Sequence, residues 1–345
     1  MAPDELILRR PDDWHLHLRD GAMMRAVLPF SARVFGRAIV MPNLDPPVAT
    51  TAAARAYRAR IEAALPPDAD FTPLMTLYLT DETDPGDLAL GFADGIVTAA
   101  KLYPAHATTN SAKGVTDIRK LDRVLERMAA IGIPLLIHGE VTDPDIDIFD
   151  REAVFLDRVL APLVTRLPEL RIVLEHVTTR AAVAFVEGTG PNLAATITAH
   201  HLTINRNALF QGGLRPHLYC LPIAKREEDR LALRRAATSG SAKFFLGTDS
   251  APHLVGDKER DCGCAGIFSA PAAMPVYVRV FEAEDALDRL EAFAAQNGAR
   301  FYRLPVNTAV LAMRRGTTLI PTEVATEAGP IRPFLAGQRF DWQIA

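Results

Sequence analysis

The chain has 345 residues, 49% of them hydrophobic and 23% charged, with a formal net charge of -4. This is the composition of a globular protein that buries a large core. The charge gives no electrostatic basis for nucleic-acid binding, and no basic run suggests a membrane surface.

The stretch up to Asp13 carries Asp4, Glu5, Arg9 and Arg10 and no long apolar segment, so no signal peptide is expected. No apolar run approaches the ~20 residues needed to span a bilayer. Cys220, Cys262 and Cys264 cannot all pair internally, which suits reduced thiols and a cytoplasmic location better than a disulfide framework.

Strand-like runs appear in chain order at Leu6–Leu8 with Trp14–Leu18, then Ala38–Met41, Pro73–Leu79 and Ile96–Leu102. They continue at Ile133–Ile137, Arg171–Glu175, Leu193–Thr198 and Phe244–Gly247. Amphipathic segments separate them. The clearest carry Ile118, Leu121, Val124, Leu125, Met128 and Ile131 on one stripe, and Leu156, Val159, Leu160, Leu163, Val164 and Leu167 on another.

Eight strands alternating with helices read as an α/β fold, a closed (β/α)8 TIM-type barrel with a C-terminal extension. A doubly wound sheet is the alternative, but no Gly-x-Gly-x-x-Gly follows an early strand. One domain is expected over residues 1–345, with 299–345 as a wrapping tail. Tyr103–Val115, Ala199–Lys225 and Ser250–Ala273 each follow a strand, so they belong on the carboxyl face, where barrel enzymes keep their active sites.

His15-Leu16-His17 is the first chemical signal. On an extended strand, positions i and i+2 project together, so His15, His17 and Arg19 share a face and Trp14, Leu16 and Leu18 take the other. Alone, such a motif is equally well a pair of surface histidines. Lys101, His138, His176 and Asp249, however, also fall in or at the ends of apolar runs. So many bunched polar groups are costly to bury unless they are paired or bound to metal.

Four imidazoles and a carboxylate suit zinc or a similar borderline metal, and they exceed the needs of one catalytic ion. Two ions require a bridging ligand. A desolvated Lys101 can lose its proton and take up carbon dioxide as a carbamate. Lys101 is otherwise a lysine paired with an acid.

Asp13-Trp14-His15-Leu16-His17-Leu18-Arg19-Asp20-Gly21, Met41-Pro42-Asn43-Leu44, Lys101-Leu102-Tyr103-Pro104, Ile137-His138-Gly139-Glu140, Leu174-Glu175-His176 and Gly247-Thr248-Asp249-Ser250-Ala251-Pro252-His253 together resemble the dihydroorotases. The likeness is to the bacterial single-function type of the amidohydrolase superfamily, and it runs in order over residues 12–270. It implies two zinc ions bridged by N6-carboxylated Lys101 and a hydroxide. His15, His17 and Asp249 would hold one ion, and His138 and His176 the other.

The same resemblance implies that Arg19, Asn43 and His253 bind a substrate carboxylate and that Leu221 and Ala265 contact the ring through backbone groups. Thr108 and Thr109 match a mobile loop. The activity implied is reversible hydrolysis of (S)-dihydroorotate to N-carbamoyl-L-aspartate in pyrimidine synthesis, with Asp249 shuttling the proton. A homodimer is implied by analogy.

His106 and the pair His200-His201 depart from the expected pattern and read as peripheral. His217, Cys262 and Cys264 read as pocket-lining. Two alternatives stand beside this reading. A hydantoinase- or allantoinase-type cyclic amidase would not need Arg19 and Asn43, and an inactive barrel scaffold would not need all six ligands.

Overall fold

The computed structural model describes residues 3–345; Met1 and Ala2, at the head of the expected domain, lie outside the described residues. Its first strand, β1 (Glu5–Arg9), is followed by eight strands that pair in chain order. These are β2 (Asp12–Leu16), β3 (Arg37–Val40), β4 (Thr72–Tyr78), β5 (Val97–Leu102), β6 (Leu135–Ile137), β7 (Ile172–Leu174), β8 (Leu193–Ile197) and β9 (Phe244–Leu246). All seven pairings are parallel, with helices between the strands, as a barrel requires. The last strand end returns to the first through a parallel bridge between Leu16 and Ser250, and His17 N donates to Ser250 O at 3.1 Å. No helix among the described residues is long and apolar enough to cross a membrane.

One expectation fails at the start of the chain. Leu6–Leu8 is not part of the first barrel strand. β1 leaves the barrel and pairs antiparallel with β10 (Val310–Leu319), placing Glu5 opposite Arg314 and Arg9 opposite Val310. Pro11, which lacks an N–H, sits at the break between β1 and β2. β13 (Arg339–Ile344) completes this small sheet on the other edge of β10, with β11 (Val324–Thr326) and β12 (Gly329–Ile331) forming a hairpin between.

The barrel interior is built in layers. Ile39, Ala99, Leu136, Val173, Ala194 and Phe245, one from each of six strands, form one buried cluster. Trp14 belongs to that cluster, whereas Leu16 and Leu18 join the core between the strands and the helices. The expected face for Trp14 is therefore wrong. The β2–β3 register shifts between Asp13 and Leu16, and such a bulge turns successive side chains onto one side.

Ala299 and Tyr302, at the end of helix Asn297–Phe301, close the floor, with Tyr302 stacked on Trp14 at a centroid distance of 4.5 Å. Gly298 makes that contact possible, because a Cβ there would sit 2.0 Å from Trp14 Nε1.

The helical stripes are also present. Helix Asp122–Ile131 buries Val124, Leu125 and Met128 and ends at Gly132, whose φ of 79° fits a residue without a Cβ. The second stripe runs through Arg151–Phe155, a π-turn at Leu156–Leu160 and Ala161–Arg166.

Candidate active site

Side chains alternate along a strand, so the residue two positions after each floor residue faces the same interior one layer higher. Lys101 follows Ala99 in this way, His138 follows Leu136, Glu175 follows Val173, and Gly247 follows Phe245. Gly247 keeps its position open: a Cβ there would lie 2.7 Å from Thr196 Cβ and 3.1 Å from His15 Cβ. His176 and Asp249 lie just past their strands with φ of 42° and 43°, left-handed backbone that turns both back over the barrel mouth. Asp249 N donates to His15 O at 2.9 Å, tying the first and last strand ends together.

His15 Nε2 and His17 Nε2 are 3.1 Å apart, and Asp249 Oδ1 lies 3.3 Å from the first and 3.1 Å from the second. The opposite ring nitrogens set the tautomers. Asn43 Nδ2 donates to Thr109 O at 3.1 Å, which fixes the amide so that Oδ1 accepts from His17 Nδ1–H at 2.9 Å. Glu175 Oε1 lies 3.0 Å from His15 Nδ1, outside hydrogen-bond alignment but close enough to favour a proton on that nitrogen. Two imidazole lone pairs and a carboxylate oxygen then face one point.

Burial opposes charge on His15, but Glu175 and Asp249 outweigh it and push its pKa up to about 9. Burial pushes His17 down to about 4 and His176 well below the usual imidazole range. Burial works to raise Asp249 as well, yet His15 and His17 hold its carboxyl well below the ordinary carboxylate value. This is a site that demands positive charge, and its donor set fits a borderline divalent metal.

On the far side, His138 and His176 stand with ring centroids 5.0 Å apart, and His176 Nδ1 is buried without a partner. Lys101 lies at the bottom of the site, fully buried, with its ammonium against Glu175 and a depressed pKa caused by burial. The amine thus has an acid partner in this structure.

Of the residues expected from sequence, His15, His17, Arg19, Asn43, Thr108, Thr109, His138, His176, Leu221, Asp249 and Ala265 line one cavity of about 20 Å³. Lys101 lies beneath it. His253 stands beside Arg19, with its Nε2 2.9 Å from Ala265 O, to which it donates, and 3.0 Å from Arg19 Nη2. Burial and then Arg19 push His253 down to about 2, so it is neutral. The other Arg19 contacts are Pro252 O at 3.2 Å and His17 Nδ1 at 3.4 Å, so the guanidinium has no carboxylate partner among the described residues. The Thr108–Asn110 loop covers the cavity: Thr109 Oγ1 donates to Ala265 O at 3.1 Å, and Asn110 Nδ2 donates to Asn43 O at 3.0 Å.

His106 is exposed, in agreement with a peripheral place. His200 and His201 are buried outside the cavity, where His201 uses both ring nitrogens on Thr198 Oγ1 and Pro222 O. His217, Cys262 and Cys264 do not line the cavity, contrary to expectation. His217 pairs instead with Glu259 at 2.8 Å, and Cys262 is exposed to solvent.

Sequence reasoning gave no role to Glu175 or to Glu140, which sits 2.8 Å from His138 Nε2. A buried acid two positions after a floor residue, or two after a predicted ligand, is the signal that could have found them.

Residues 7–316 match the amidohydrolase family model. A dihydroorotase of Synechococcus sp. (strain RCC307) is 61% identical over 344 residues, covering 100% of this chain and 99% of its own length. The solved dihydroorotase of Campylobacter jejuni superposes with a TM-score of 0.91 at 37% identity, over 100% of this chain and 98% of that one. That of Saccharomyces cerevisiae, in complex with 5-fluoroorotic acid, superposes with a TM-score of 0.92 at 31% identity, over 99% of each chain. The chain belongs to the amidohydrolase family and, within it, to the dihydroorotases.

Proposed function

We propose that the chain catalyses reversible hydrolysis of (S)-dihydroorotate to N-carbamoyl-L-aspartate, the dihydroorotase step of pyrimidine synthesis, as a zinc-dependent enzyme of the cytoplasm. The observation that carries the substrate is the guanidinium of Arg19, which has no carboxylate partner among the described residues and lies 3.4 Å from His17 at the edge of the metal-type cluster. An anion recognised there is held directly beside the reacting amide.

In this reading His15, His17 and Asp249 would hold one zinc ion and His138 and His176 a second, with N6-carboxylated Lys101 serving as a shared ligand. Lys101 is suited to carboxylation because burial favours its neutral amine, the form that adds carbon dioxide and releases a proton. Bound zinc supplies Lewis-acid polarisation of the ring carbonyl and lowers the pKa of a water toward ~7.

The chain's own residues do the rest. Arg19, Asn43 and neutral His253 bind the ring carboxylate, and the guanidinium fork suits bidentate pairing. Leu221 and Ala265 hold the ring through backbone groups. Thr108 and Thr109 donate hydroxyl hydrogen bonds and exclude water. Asp249 takes a proton from the attacking water and delivers it to the leaving ring nitrogen, and in ring closure the proton runs back. We also read the chain as one domain with residues 299–345 wrapping the barrel, functioning as a homodimer.

Metal analysis combined with a dihydroorotate assay tests this reading. Turnover of dihydroorotate, its loss with a chelator, and a drop of at least about ten-fold in kcat/KM for Arg19→Met with metal content unchanged are expected. Preference for dihydrouracil or hydantoin over dihydroorotate would refute it.

A further inference from the structure

Lys258 ends the short helix Val255–Lys258 in the segment after β9, and its side chain is buried. Its Nζ donates to the carbonyls of Tyr219 at 2.8 Å, Cys264 at 2.7 Å and Gly266 at 2.8 Å. All three ammonium donors are therefore used on backbone oxygens. The Tyr219 ring lies 5.7 Å away, and no carboxylate pairs with Lys258 among the described residues. Burying a cation without a counter-ion is costly, so the position needs a reason.

The three carbonyls supply one. They flank Leu221 and Ala265, which both line the cavity, and Gly266 N donates to Tyr219 O at 3.1 Å between the same segments. Ala265 O in turn receives Thr109 of the covering loop.

We propose that Lys258 is a positioning residue for the anionic substrate. It clamps the Tyr219–Leu221 and Cys264–Gly266 segments together, with no carboxylate among the described residues to offset its charge. The inference rests on the reading of the substrate as a ring carboxylate.

Burial, joined by Arg19, pushes Lys258 down to about 8 against the opposing pull of the Cys220 and Cys264 thiols. The Tyr219 phenol and neutral His253 also face it. Below that value the ammonium holds three carbonyls. Above it the amine keeps two donors and turns a lone pair toward the third, so anion binding weakens as pH rises through about 8.

The test uses the full-length, metal-loaded protein as wild type, Lys258→Met and Lys258→Gln, the last keeping an amide donor without charge. Dissociation constants for orotate and kcat and KM for dihydroorotate are measured from about pH 6.5 to 9, a range that brackets the shifted lysine. Both variants are expected to raise KM and the orotate constant on the order of ten-fold, with kcat and metal content close to wild type. The weakening through pH 8 should vanish in both.

Wild-type KM in the two variants, a fall confined to kcat, or wild-type orotate binding that stays flat through pH 8 overturns the proposal. If neither variant folds, the wild-type profile alone decides. A wild type that binds orotate with the expected pH dependence but does not turn over dihydroorotate refutes the proposed activity and leaves the role of Lys258 intact.

Discussion

His138 Nε2 donates to Glu140 Oε2 at 2.8 Å, and both side chains are buried. That bond leaves the Nδ1 lone pair free to face the cavity, and a carboxylate on the outer nitrogen fixes the tautomer and orientation of the ring. Lys225 Nζ lies 4.0 Å from the other Glu140 oxygen. Nearby, buried Glu152 accepts the backbone N–H and hydroxyl of both Thr178 and Thr179, just past His176.

Glu140→Gln is therefore expected to weaken metal binding at His138 and His176 by about 10- to 100-fold. Chelator competition on the purified variant checks this without any activity assay. Metal affinity equal to wild type would show that Glu140 does not support His138.

Lys101→Ala should leave at most one tightly held ion per chain, as measured by elemental analysis after gel filtration. Activity should fall with it, and a small carboxylic acid added to the buffer is expected to restore part of it. Two full equivalents of metal in this variant would remove the bridging role.

The pH profiles of the two directions should diverge. The low pKa of Asp249 keeps it ionised near neutrality, as hydrolysis requires, and hydrolysis should rise with pH because bound zinc would lower the pKa of a water toward ~7. Ring closure needs a proton to deliver and should decline over the same range. Asp249→Asn should be nearly inactive both ways. Parallel profiles in the wild type would exclude Asp249 as the shuttle.

The loop over the cavity must open for a ligand to enter, because about 20 Å³ holds little more than one water. Thr108→Ala combined with Thr109→Ala should lower turnover at least ten-fold, since two hydrogen bonds to an anion are worth roughly 3 kcal/mol. Metal content should not change. Near-wild-type kinetics, or proteolysis in the loop that ligand does not slow, would show that it is no lid.

The barrel was legible because strands buried on both faces read as unbroken apolar runs, as in Leu135–Ile137 and Ile172–Leu174. Leu6–Leu8 carries a similar local signal, and only its long-range pairing with Leu311–Met313 separates it from the barrel. The bulge that turns Trp14 inward leaves no mark in composition. The metal-type residues were legible because polar groups at the ends of apolar runs are conspicuous. Glu140 and Glu175 were not, because their role lies in which ring nitrogen they face. Lys258 was invisible for the same reason, since its partners are backbone carbonyls that any sequence possesses.

The cluster of His15, His17 and Asp249 spans the seam where the barrel closes. Asp13 receives Thr248 N across that seam at 2.8 Å, between residues 235 positions apart. Asp249 cannot meet the two imidazoles until the last barrel strand has been made and docked against the first. The site is thus assembled late during synthesis, and in the zinc reading proposed above metal capture would follow barrel closure rather than guide it. A nascent chain released before Asp249 would carry the His-x-His pair without the pocket that gives it affinity. Metal loading is then a report on completed folding, and a chain stalled with its seam open should be distinguishable by its failure to retain the ion.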